Sequence, residues 1–139
     1  MFNTIVVATD GSENARKAES LAFELAKRDG GKLVFVHVDE HTIGKGGGAI
    51  HPDEEKIQGE IRKRAEELGA DGVETDVAFK DIMVGGAAHP IAEVADEQNA
   101  DLIVAGTRGH SSISGLLLGS VAQRLLHLAH QPVLVVPSD

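Results

Sequence analysis

The sequence predicts an α/β protein in which a parallel sheet carries helices on both faces. Short apolar runs of strand length alternate along the chain with longer segments whose apolar residues recur at intervals of three and four. Glycine-rich or aspartate-containing turns separate these segments. Short parallel strands joined by right-handed helical crossovers form one open sheet, so we expect the order β-α-β-α-β-α-β-α-β. At 139 residues the chain is long enough for one domain, residues 1–139.

The first two strands flank an amphipathic helix. Residues 3–9 form an apolar run, and the Asp-Gly-Ser turn at 10–12 predicts the start of a helix. The helix ends at the glycine pair 30–31, and residues 33–38 predict the second strand. Small side chains on one face of the helix allow it to pack closely on the sheet: Ala15, Ala18, Ala22, Leu25 and Ala26.

Residues 40–52 interrupt this alternation with four glycines, two histidines and a proline. A Walker A loop requires the lysine after the glycines, whereas Lys45 stands before most of them. We therefore predict a mobile surface loop, with the alternative that it also covers a bound ligand.

The second half of the chain repeats the helix–strand alternation. A charged helix is predicted at 53–69 with an apolar stripe, and a strand at 73–79. Pro90 suits the first turn of the next helix, and Asn99 is suited to a left-handed stop after it. The stripe of the charged helix consists of Ile57, Ile61, Ala65 and Leu68.

The last three elements are a strand at 101–105, a helix at 119–130 and a strand at 132–136. The four apolar residues from Leu102 are too few for a helix and fit a buried parallel strand. The final helix is expected to bury three side chains against the sheet, namely Val121, Leu125 and Leu128.

Composition excludes several classes of function. The hydrophobic share is 42%, and no run approaches the roughly 18 apolar residues of a membrane span. The formal charge of −9, with four Phe and neither Trp nor Tyr, disfavours binding to nucleic acid. The absence of cysteine excludes disulfides and thiolate metal sites, and the first residues lack a basic leader. We expect a cytoplasmic protein.

The seven histidines do not form a recognisable metal motif. His37 lies in a predicted strand and His127 and His130 in the last helix, so we assign them structural or solvent-exposed roles. The acidic residues 53–55 are interpreted as a charged helix start, which is favourable against the helix dipole. No Ser-His-Asp order and no paired carboxylates suggest acid–base catalysis.

The segment after the strand at 101–105 carries the clearest functional pattern. Gly106 and Gly109 follow the strand, and Gly119-Ser120 opens the next helix. A strand, a glycine loop and a helix start together present backbone N–H groups and a positive helix end to a phosphate. The alternative is an ordinary strand–helix connection whose glycines only make the turn, since isolated glycine motifs often mislead.

The spacing Gly106-x-x-Gly109, nine residues, then Gly119-Ser120 resembles the nucleotide-binding signature of the universal stress protein family. The resemblance extends over the chain in order, through the strand and turn at 5–12 and the apolar runs at 34–38 and 132–136. It implies a Rossmann-like α/β/α sandwich with strand order 3-2-1-4-5. In that order strands one and four are neighbours, and a crevice opens at their carboxyl ends.

The resemblance also implies a site for ATP with Mg²⁺. Arg108 is a candidate for neutralising phosphate charge, although a solvated loop arginine is equally consistent. Ser120 is compatible with an ordinary helix cap as well as with phosphate binding. The residues expected to hold the triphosphate and ribose are Gly106, Gly109, Gly119 and Ser120, followed by the backbone N–H of Val121.

Three residues are expected near the nucleoside. Asp10 either caps the first helix or holds the nucleotide through a divalent cation or a hydrogen bond, and the resemblance favours the second role. Thr9 is expected on the adenine side, and Val38 contacts the base through its backbone. Ala8 departs from the family, in which proline is frequent at this position.

The resemblance implies a homodimer and a nucleotide-dependent stress sensor. The apolar strand 132–136 would be an exposed edge, which an antiparallel symmetry mate covers. One alternative is a slow ATPase or a protein that phosphorylates itself at Ser112, Ser114 or Ser120. Another alternative is a nucleotide-free dimeric interaction module, against which the intact signature argues.

Overall fold

A computed structural model describes residues 1–40, 53–82, 86–107 and 119–137. Within these ranges strands and helices alternate along the chain as predicted. The strands are β1 (Thr4–Ala8), β2 (Lys32–Glu40), β3 (Glu74–Ile82), β4 (Leu102–Gly106) and β5 (Val133–Val136). The helices are α1 (Glu13–Asp29), α2 (Glu54–Gly69), α3 (Ala88–Glu97) and α4 (Ser120–Leu128). The predicted loop at 40–52 lies, apart from Glu40, outside the described residues.

The five strands form one parallel sheet in the order β3-β2-β1-β4-β5. Central β1 pairs with β2 on one side and with β4 on the other, so that Val7 lies between Phe35 and Val104. The order that the family resemblance implies is therefore confirmed. Because both faces of a parallel sheet are covered by crossover helices, the central strands β1 and β4 are apolar on both sides, whereas the edge strand β3 carries several charged residues.

Side chains of successive strand residues point to opposite faces and form two separate cores. Ile5 and Val7 belong to the core under α1 and α2, whereas Val6 belongs to the core under α3 and α4. The same alternation places Phe35 on the first face and Val36 on the second. The result is a three-layer α/β/α arrangement with the sheet in the middle.

Several boundaries differ from the predicted ones. β2 and β3 run on to Glu40 and Ile82, because their ladder continues in register past the apolar residues. Helix α4 buries Ala122 and Leu125, but Leu128 is 37% exposed, so its predicted burial is wrong. Leu128 is the last residue of α4, and the chain is already extended at the following residue. The left-handed stop at Asn99 is confirmed, with φ at 53°.

The two helix glycines with open surroundings allow a clean test of backbone conformation. Gly59 lies inside α2, and a Cβ atom there meets nothing within 4 Å, so Gly59→Ala should raise the free energy of unfolding by about 1 kcal/mol. Gly30 has equally open surroundings but a φ of 67°, so Gly30→Ala should lower the same quantity by about 1 kcal/mol. Urea denaturation measures both, and changes of the same sign would contradict this assignment.

Candidate functional site

A cleft of about 660 Å³ opens at the carboxyl ends of β2, β1 and β4. It lies where the connections of two neighbouring strands leave the sheet on opposite faces, since α1 packs on one core and α4 on the other. The volume falls within the range of small-molecule sites in proteins. The geometry therefore provides a ligand-sized cavity at the position where open α/β sheets bind their ligands.

The β4 side of the cleft consists of backbone and small side chains. Gly106 ends β4, and the Gly119 N–H donates to the Thr107 carbonyl oxygen at 2.7 Å, which fixes the start of α4 beside the end of β4. Gly119 is the N-cap of α4 and has no side chain that could cap it. The first N–H groups of α4, beginning at Ser120, thus receive no side-chain cap from their own N-cap residue.

Helix α1 begins differently, although it starts at the same edge of the sheet. The Ser12 side chain accepts a hydrogen bond from the Ala15 N–H at 3.3 Å and so caps α1. The alternative that Asp10 caps α1 is therefore wrong, because the Asp10 carboxylate accepts from the Ser12 N–H at 2.9 Å and organises the turn instead. The Gly11 φ of 78° between them makes this turn possible.

The structure brings most of the predicted site residues to this one cleft. Arg108 and Gly109 lie outside the described residues. The interpretation of Ser120 as the helix cap is wrong, since Gly119 occupies that position and Ser120 is the first helical residue. The remaining predicted residues all line the cleft: Thr9, Asp10, Val38, Gly106, Gly119, Ser120 and Val121.

Thr9 is the centre of a buried polar network that the sequence reading missed. Its hydroxyl donates to the Glu19 carboxylate, and its carbonyl oxygen lies 3.0 Å from Nδ1 of His37. Glu19 is only 2% exposed and also accepts from Nη2 of Arg64 at 2.8 Å. A sequence signal for Glu19 existed, because it falls four residues after Ala15 on the apolar face of α1.

Burial raises the pKa of Glu19 above its ordinary value of 4.5 because the charged form loses its hydration. The hydrogen bond from Thr9 and the nearby Arg64 guanidinium oppose this effect without cancelling it. Together these residues link β1, α1 and α2 beneath the cleft. The network therefore holds in place the turn that follows β1 and lines the cleft.

His37 and Glu54 form a second feature that sequence reading did not find. Nε2 of His37 lies 2.6 Å from Oε1 of Glu54, and the His37 side chain is almost completely buried. Both residues line the cleft. Glu54 is therefore not simply a solvated residue at a helix start. They stand 17 residues apart, on either side of a segment whose path the sequence does not indicate, so their contact was not predictable.

The distribution of charge along the cleft is uneven. Four carboxylates line its β2–α2 side: Asp39, Glu40, Asp53 and Glu54. No lysine or arginine appears among the described residues that line it, and the β4–α4 side offers N–H groups instead. The β2–α2 side thus favours hydrogen-bond donors of a ligand, whereas the β4–α4 side favours anionic groups.

Within the described ranges no group of three or more histidine, aspartate or glutamate side chains has the arrangement of a metal site. Mg²⁺ characteristically keeps several waters and bridges one or two carboxylates to the phosphates of a substrate. A single carboxylate such as Asp10 is consistent with that mode. No helix of the same ranges is long and apolar enough to cross a bilayer.

The sheet order and the position of the cleft define a Rossmann-like α/β protein with a cleft at its topological switch point. The model of the Universal stress protein family matches residues 1–137, and the chain belongs to this family.

Relatives and solved structures agree with that assignment. A universal stress protein of Thermus aquaticus is 34% identical over 138 residues, covering 98% of this chain and 99% of that protein. A universal stress protein solved in complex with cAMP has a TM-score of 0.71 at 30% identity, covering 99% of this chain and 98% of the other. An Archaeoglobus fulgidus universal stress protein in complex with dAMP also has a TM-score of 0.71, at 26% identity and 96% coverage of both chains.

The raised pKa of Glu19 predicts a pH-dependent contribution to stability. A carboxyl group with a raised folded-state pKa stabilises the protein below its unfolded pKa, and this contribution is lost as pH rises through the folded value. Glu19→Gln removes this titration while retaining an oxygen for Arg64 and Thr9. Relative to wild type, the variant should therefore become more stable as the pH rises above 4.5. Urea denaturation over a series of pH values measures the difference in the free energy of unfolding, and a difference that is independent of pH would contradict the argument.

Proposed function

We propose that this protein binds an adenine nucleotide, ATP with its Mg²⁺ ion, in the cleft between the ends of β1 and β4, and acts as a nucleotide-dependent stress sensor. The observation that carries the proposal is the amino terminus of α4, which is fixed to Thr107 and has a glycine N-cap without a side-chain cap. Such a helix end attracts phosphate through its N–H groups and its dipole. Two similar proteins solved with cAMP and dAMP support this class of ligand.

The difference in charge between the two sides of the cleft supports one orientation of the nucleotide in this proposal. The phosphates lie at the β4–α4 side, with Arg108 neutralising part of their charge, and Asp10 meets them through Mg²⁺. The nucleoside lies toward β2, where Val38 contacts the base through its backbone and the buried Thr9 contributes contact surface. The residues that surround the phosphates in this proposal are Gly106, Gly109, Gly119, Ser120 and Val121.

Calorimetric titration with ATP and Mg²⁺, followed by chromatography of the nucleotide, tests the function. Binding in the micromolar range with ATP recovered unchanged is the expected result. Accumulation of ADP would indicate a slow ATPase instead. A mass increase of one phosphate, lost on mutation of Ser112, Ser114 or Ser120, would indicate self-phosphorylation. Absence of binding would contradict the proposal and leave a nucleotide-free interaction module.

A valine substitution at the N-cap of α4 should weaken ATP binding in the same titration. Gly119 has a φ of −61° and a ψ of 154°, which any residue adopts, so Gly119→Val should leave the fold intact. Its side chain would occupy the space that a phosphate needs, and we expect ATP affinity to fall at least about tenfold. Gly59→Ala, at an exposed position of α2, serves as the control and should bind as wild type does. Unchanged affinity in Gly119→Val would contradict the assignment of the phosphate position.

We also propose that the chain forms a homodimer through the edge strand, residues 132–136. β5 pairs with β4 on one side only, and Val133, Leu134 and Val135 are half-buried within the single chain. An exposed apolar edge favours association with another strand. An antiparallel symmetry mate would satisfy the outward-facing backbone groups and cover these side chains.

A proline substitution at one position of β5 tests the dimer interface without disturbing the pairing of β5 with β4. The N–H groups of Ile103 and Thr107 donate to Pro132 and Val136, so in a regular parallel ladder the N–H of Val135 points away from β4. Val135→Pro should therefore remove an intermolecular donor and convert the dimer to a monomer in sedimentation experiments. Val135→Ala retains the N–H and should remain dimeric. A Val135→Pro protein that is still dimeric would locate the interface elsewhere.

Two further properties belong to the same proposal. The absence of cysteine suits a reducing compartment, and we propose a cytoplasmic location. The formal charge of −9 repels a polyanion over its whole length, so we propose that nucleic acid is not a partner. A free nucleotide differs from a polyanion because a few local N–H groups determine whether it binds.

A further inference from the structure

The Glu54 carboxylate is held in a fixed position at the end of the cleft that lies away from α4. Nδ1 of His37 lies 3.0 Å from the Thr9 carbonyl oxygen, which can only accept, so Nδ1 carries a hydrogen and donates it. The second ring nitrogen, Nε2, then lies against Oε1 and Oε2 of Glu54 at 2.6 and 3.2 Å. Both ring nitrogens are thus engaged, and the imidazole has none left for a ligand. The group of this pair that remains accessible to a ligand is Glu54.

Glu54 can form further hydrogen bonds to a ligand only as an acceptor. A carboxylate offers about four acceptor positions. Among the described residues these positions are used by Nε2 of His37, which shares one hydrogen with the Glu54 carboxyl group, and, at 3.3 Å, by an N–H of the side-chain amide of Gln58. The Glu54 side chain is 15% exposed and lines the cleft. A ligand group that meets it must therefore donate a hydrogen bond.

The surroundings of Glu54 strengthen this requirement. Asp39, Glu40 and Asp53 line the same side of the cleft, and no described lining residue there carries a lysine or arginine charge. A carbonyl oxygen placed against these carboxylates would lose its hydration without gaining a hydrogen bond from them. A phosphate would be repelled, which leaves the opposite side, at α4, for the anionic end of the ligand.

We propose that Glu54, held by His37, determines base specificity by accepting a hydrogen bond from the amino group at position 6 of the purine. The inference rests on the proposed nucleotide function and deepens it. Adenine donates at this position, whereas hypoxanthine presents an oxygen there and disfavours the contact. The discrimination therefore combines one hydrogen bond to a charged acceptor with exclusion of the oxo base.

Titration with ATP and with ITP, which carry identical triphosphates, tests the inference. A hydrogen bond to a charged group predicts that the wild-type protein binds ATP about 10- to 100-fold more tightly than ITP. Glu54→Gln presents an amide that can either accept or donate, so the ratio of the two affinities should fall to about threefold or less. The matched control is Glu55→Gln, which removes the same charge from the exposed neighbouring residue outside the cleft and should keep the wild-type ratio.

A second measurement uses the unmodified protein and does not depend on how a variant folds. Purine riboside triphosphate lacks the amino group at position 6 and should bind more weakly than ATP by about 10-fold or more. Equal binding of this ligand and ATP would overturn the inference, as would an unchanged ATP-to-ITP ratio in Glu54→Gln. A parallel loss of affinity for all three nucleotides in Glu54→Gln would also overturn it, because Glu54 would then contact the ribose. Failure of the wild-type protein to bind any of them would overturn both this inference and the proposed function.

Discussion

The pairing of β1 with β4 is the constraint on which the site depends. Ile5, Val6 and Val7 align with Leu102, Ile103 and Val104, although nearly a hundred residues separate the two strands in the chain. This register places the turn after β1 and the end of β4 at the same level of the sheet. The helices that follow then leave on opposite faces, since α1 packs over one core and α4 over the other. A cleft between them is a geometrical consequence of this topology.

The turn that follows β1 depends in addition on polar contacts beneath the cleft. The Thr9 hydroxyl and the Glu19 carboxylate are both almost completely buried, and an unpaired buried carboxylate is strongly destabilising. Arg64 from α2 donates to Glu19, and His37 from β2 meets the Thr9 carbonyl. Thr9, Glu19 and His37 therefore each meet a partner from a different element, while Nε of Arg64 is buried without a hydrogen-bond partner in the described part of the chain. The network links α1, α2, β1 and β2 at the level of the first turn, so the shape of the cleft depends on polar contacts as well as apolar packing.

The elements could be predicted from the sequence to within about three residues, because apolar periodicity and turn residues act locally. The strand order depends on contacts between distant segments, and it came from the family resemblance rather than from periodicity. The pair of His37 and Glu54 was not predicted because its contact crosses a segment of unknown path. Glu19 was missed although its helical position was readable, since an acidic residue is expected at the surface unless a partner such as Arg64 is known.

The proposal that an acidic protein binds an anion is explained by the charged and polar groups that lie close to the site. The net charge of −9 acts over distances that salt screens to about 8 Å, whereas a phosphate at the amino terminus of α4 would interact with N–H groups at contact distance. Among the described lining residues Asp10 follows β1, and the other four carboxylates lie on the β2–α2 side, away from that helix end. Their repulsion therefore disfavours the reversed orientation of a nucleotide more strongly than it disfavours the proposed one. The uneven charge of the cleft thus favours one direction of binding, and a uniformly basic site would not distinguish the two.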